Sequence, residues 1–105
     1  MSRTNQALEN VTVDTSVAIC DEIPFYNDIT GEIVVPTGSS ITLITWHVAE
    51  KEGGTFVPAQ TEAGVAVTQT VGAGKAYPIP AALMGAQVLK AQGNASGTIH
   101  VSTKA

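Results

Sequence analysis

The chain has 105 residues, 44% of them apolar and only 13% charged, with a formal net charge of −4. Its length suffices for one core without staples, and the negative balance leaves no basic patch to neutralise phosphates, which argues against nucleic acid as a partner. No apolar run approaches the roughly 18 residues of a membrane span, and MSRTNQALENV lacks the apolar centre of a secretory signal. A soluble protein made in a reducing cytosol, with no membrane partner, is therefore expected.

The charge is uneven along the chain. Residues 1–62 hold all nine carboxylates with only Arg3 and Lys51, whereas residues 63–105 hold Lys75, Lys90, Lys104 and no acid. Pairing between the two halves, within a fold or between subunits, and a chance distribution on a solvated surface both fit that pattern. Cys20 stands alone, so no internal disulfide exists. In a strand-like run it reads as a small buried apolar residue rather than a reactive thiol. Asn10-Val-Thr12 and Asn94-Ala-Ser96 match the glycosylation acceptor pattern but have no secretory signal to give it meaning.

In chain order, residues 1–10 are polar and without period, and read as an N-terminal arm preceding a single β domain over 11–105. VTVDTSVAIC (11–20) alternates, with a change of phase near Thr15 and Ser16 that predicts a β-bulge. DEIPFYND contains Pro24 and reads as an edge strand or a loop. GEIVVPTGSS predicts a strand of about four residues, closed by Pro36 and Gly38. SITLITWHVAE is the longest candidate strand, with Ile44, Trp46 and Val48 on one face and Ile41, Leu43, Thr45 and His47 on the other. EKEGG is its turn, where Gly53 and Gly54 supply positive φ. TFVPAQ is the return strand, and VAVTQTV (65–71) alternates with Val65, Val67 and Val71 to one side.

The Gly-rich stretch GAGKAYPIP predicts a hairpin turn and a short strand. PAALMGA offers the only helical signal, one or two turns between Pro80 and Gly85. QVLKAQ and GTIHVST predict two final strands joined by the hairpin turn Gly93–Gly97. Short strands with turn signals every 8–12 residues indicate an all-β antiparallel sandwich, jelly-roll-like, of about eight strands.

Catalytic and metal chemistry finds little purchase. His47, His100 and Cys20 have no ligand spacing. No nucleophile elbow is present, and the carboxylate pairs Asp21-Glu22 and Glu50/Glu52 sit in turn-like, solvated contexts. Gly72-Ala73-Gly74-Lys75 lacks the spacing and the hydroxyl of a phosphate loop. No enzyme, cofactor or metal is expected. The sole tryptophan, Trp46, reads as core, together with Ile44, Val48, Val67, Ile99 and Val101. The competing reading is a sugar-stacking platform, which requires Trp46 or Tyr77 to be exposed.

One arrangement goes further. Tyr77-x-Ile79-Pro80-x-x-Leu83-x-Gly85-Ala86-x-x-Leu89-Lys90, a polar turn, and then Gly97-Thr98-Ile99-x-Val101-x-x-Lys104 follow the strand-turn-strand SITLITWHVAEKEGGTFVPA and the valine strand GVAVTQTV. Over Ser40–Ala105 this resembles small β-sandwich structural proteins of tailed bacteriophages, such as capsid decoration (cement) proteins. The resemblance implies a virion component on the capsid surface, made in the host bacterial cytoplasm, that binds the major capsid protein. It implies a homo-oligomer, with a trimer favoured, and carries over no catalytic residue. A head- or tail-fibre-associated carbohydrate-binding-type module is the alternative. Candidate interface residues are Arg3, Asn5 and Leu8 in the arm and Glu50, Lys51 and Glu52 in the charged turn.

Overall fold

A computed structural model describes residues 6–25, 30–83 and 85–104, with the side chains of 6–9, 30 and 104 outside that description. Nine strands and one 3-10 turn are described: β1 Gln6–Val13, β2 Ile23–Pro24, β3 Thr30–Val35, β4 Leu43–Ala49, β5 Val57–Pro58, β6 Thr68–Thr70, β7 Lys75–Pro78, β8 Val88–Gly93 and β9 Gly97–Lys104, with the 3-10 turn at Ala81–Leu83. They form two antiparallel sheets. Sheet A has the order β1-β9-β3-β7, and sheet B the order β2-β8-β4-β5, with β6 also pairing with β4. If β5 and β6 are taken together as one interrupted strand beside β4, the order is that of an eight-stranded jelly roll. Except where β4, β5 and β6 follow one another, each connection passes from one sheet to the other.

Alternation explains which side chains fill the gap. In β4, Ile44 and Trp46 are fully buried between the sheets, and Val48 is half-buried against the same core. Their cross-strand partners on β8 are Gly93, Ala91 and Leu89. Sheet A contributes Val11, Val13, Ile33, Val35, Ile99 and Val101 from its inner face. Val67, on the stretch between β5 and β6, closes one side. Ala91, the cross-strand neighbour of the tryptophan, is small and leaves room beside the indole.

The indole also carries a polar tie. Trp46 Nε1 donates to Gln69 Oε1 at 3.2 Å, and Gln69 Nε2 donates to the Pro78 carbonyl at 2.7 Å. Gln69 lies in sheet B and Pro78 in sheet A, so one amide satisfies the buried N–H and joins the two sheets at the β6/β7 edge.

Several expectations need correction. β1 begins at Gln6, so residues 6–10 of the expected arm are strand, and residues 1–5 lie outside the described residues. The register irregularity falls between Leu8 and Val11, not at Thr15 and Ser16. Asn10 takes φ 59° there, a left-handed conformation that Asn tolerates better than most residues. The strand expected through Cys20 ends at Val13, and residues 15–20 are turn. Val65 does not join Val67 and Val71 in the core but is exposed. The turns 71–74 and 94–96 are not hairpins: each links a strand of sheet B to a strand of sheet A.

That second corner is stitched by Asn94. Its Oδ1 accepts from the N–H groups of Thr42 and Leu43, and its Nδ2 donates to Thr42 Oγ1. Two strand glycines mark places where backbone and side chains meet closely. A Cβ on Gly93 would lie 2.6 Å from Val13 Cγ1 and 2.8 Å from the Ala95 carbonyl oxygen, and one on Gly31 would lie 2.6 Å from Ile79 Cδ1 and 2.9 Å from the Ser102 carbonyl oxygen.

Four substitutions test this packing. G93A and G31A each force backbone or core to shift and should cost about 1–3 kcal/mol in a denaturant titration. Q69L strands a buried indole N–H and should cost a similar 1–3 kcal/mol. Thr103 is buried with Oγ1 unpartnered, so T103V should leave stability unchanged or raise it, because it removes a desolvated hydroxyl without opening a cavity.

Candidate functional site

Part of the outward face of sheet B, around His47 and Lys90, is covered, and the cover is held by polar groups. His47 and Lys90 are cross-strand partners on this face, yet both are buried. The segment 14–22 lies over them as a strap. Gln92 Nε2 donates to the Thr15 carbonyl at 2.8 Å, Lys90 Nζ to the Val17 carbonyl at 3.0 Å, and the Gly93 N–H to the Asp14 carbonyl at 3.0 Å. From the other side the Phe56 ring lies under the Lys90 ammonium, 4.7 Å from centroid to nitrogen. Here the amphipathic lysine has an aromatic face and a carbonyl in place of water. Because the Gln92 amide nitrogen is committed to Thr15, its oxygen accepts from His47 Nε2 at 2.8 Å, which places the imidazole proton on Nε2. His47 therefore serves the fold.

Asp14 anchors the strap at its start. Its carboxylate accepts from Ser96 Oγ at 2.7 Å and from the Ser16 N–H at 3.0 Å. The Ser96 bond and then the Ser16 bond hold its pKa below the ordinary carboxylate value. Cys20 packs under the same turn, with Sγ 3.4 Å from the Asp14 N–H and 3.4 Å from the Ser16 carbonyl. Burial pushes its thiol pKa up, the opposite of what an activated nucleophile needs. At the far end, Thr12 and Asp21 exchange bonds, Thr12 N–H to Asp21 Oδ2 and Asp21 N–H to the Thr12 carbonyl. The strap thus also covers part of the free edge of β1.

The charged turn stands at one end of the sandwich. Glu50, Lys51 and Glu52 are exposed, and Gly53 with φ 69° carries the reversal. The Gly53 N–H is shared by the two carboxylate oxygens of Glu22, at 3.1 and 3.2 Å, so a third acid joins the turn. Beside it lies an open groove of about 570 Å³ between the β4–β5 connection and Gly85–Gln87. At the opposite end a smaller cleft of about 260 Å³ is lined by uncharged residues of the β3–β4 connection and by Ser96, Gly97 and Thr98.

The structure brings Glu50, Lys51 and Glu52 together on one turn. Arg3 and Asn5 lie outside the described residues, and Leu8 is placed by its backbone alone, opposite Val101 in β1. Trp46 is wholly buried and Tyr77 half-buried against the core, so neither offers a free stacking face for a sugar. His100 lies on the outward face of sheet A, on the opposite side of the sandwich from His47. Among the described residues, no three His, Cys, Asp or Glu side chains gather as a metal-holding group. Sequence reasoning missed the strap and the groove. Pro24 and the Asp14-Thr15-Ser16 turn chemistry were visible signals for the strap, but which sheet it would cover was not.

No protein-family model matches the chain, and no curated protein matches it. Among solved structures it is similar to that of the SPBc2 prophage-derived protein YomS. The TM-score is 0.60 at 10% identity, over 97% of this chain and 94% of that one. At that identity the likeness is one of fold, and it runs nearly end to end in both proteins.

Two solution measurements check the strap. The folded-state pKa of Asp14 is lowered, so its contribution is present above the ordinary carboxylate value of 3.8 and is lost as pH falls through the lower folded value. Stability of the wild type should therefore fall more steeply in acid than that of D14N, which lacks this titration. The Cys20 thiol should react with a maleimide far more slowly in the native protein than in denaturant.

Proposed function

We propose that the protein is a structural component of a tailed-phage virion, a decoration protein that binds the major capsid protein and stabilises the capsid as a homo-oligomer, without enzymatic activity. The observation that carries this reading is the end-to-end fold likeness to a prophage-derived protein, joined to the sequence resemblance to phage sandwich proteins over Ser40–Ala105. The architecture supports it physically. Polar side chains of β8, Lys90 and Gln92, donate to backbone carbonyls of the strap, and His47 is fixed by Gln92. The fold's polar groups are thus used to hold its shape, as a lattice component requires. Many modest contacts repeated over a lattice add up through avidity, so no single strong site is needed.

In this reading the Glu50–Glu52 turn meets the capsid partner, and a trimer places several such turns on the lattice at once. Location on the capsid surface is part of the proposal. A carbohydrate-binding module has less support, because the aromatic side chains that would stack on sugar are buried or packed.

Particles produced without this chain test the proposal. They should lose their genome at a lower temperature than complete particles, and purified protein added back should restore the difference. If particles lacking the chain are as heat-resistant as complete ones, the stabilising role is wrong.

A further inference from the structure

We draw no further inference here: the strongest candidate, the open groove between the β4–β5 connection and Gly85–Gln87, is lined by one acid and one base, Glu50 and Lys51, and nothing in the structure shows what covers it.

Discussion

The fold depends on how one large ring is accommodated. Trp46 sits at the middle of the central strand of sheet B and is wholly buried. Burying it stabilises the sandwich by up to about 5 kcal/mol, taking roughly 200 Å² at about 25 cal/mol per Å². The ring also dictates its surroundings. Ala91 is its cross-strand partner on β8, and Ala59 and Val67 bond its backbone on the other side. Its one polar atom has to be met inside the protein, and Gln69 meets it while reaching across to Pro78 in sheet A. Size, spacing of the sheets and the tie between them are thus set at a single position.

The two sheets differ in what lies outside them. Sheet B buries a histidine and a lysine on its outward face beneath the 14–22 strap and Phe56. Sheet A presents Thr98, Ser102, Glu32 and Val34 to the exterior, the ordinary polar alternation of a sheet with one solvated face. Low charge overall therefore has a structural counterpart. Two of the chain's few basic side chains, His47 and Lys90, are buried beneath the strap. The opposite end is uncharged along its cleft and closed by the Asn94 corner. The two ends of the sandwich thus differ: Gly53 and Gly85 turn the chain at the charged end, where Val57 is exposed.

Much of this was legible in the residues. The alternation in LITWHVA separates Trp46 from His47 unambiguously, since a strand has a period of two. The Gly-Gly reversal after Glu52 and the short turn between Pro80 and Gly85 are likewise local chemistry. What lay hidden is non-local. QALEN has no apolar alternation because β1 is an edge strand with a bulge, and its ladder to β9 is made by backbone groups that any residue supplies. Turns at 71–74 and 94–96 use the same Gly and Asn chemistry whether the chain returns within a sheet or crosses to the other, so hairpin and corner read alike. The groove arises from Val57 and Ala86, brought together only by the pairing of β4 with both β5 and β8.

The central claim, that this jelly roll is a repeated part of a capsid, has a direct measure. It is the copy number of the chain in purified virions from its source, by quantitative mass spectrometry against the major capsid protein. The account predicts about one copy per capsid subunit, or one trimer for each local three-fold axis. Absence from the particle would contradict it, and a handful of copies per particle would move the protein from the lattice to a vertex or the tail.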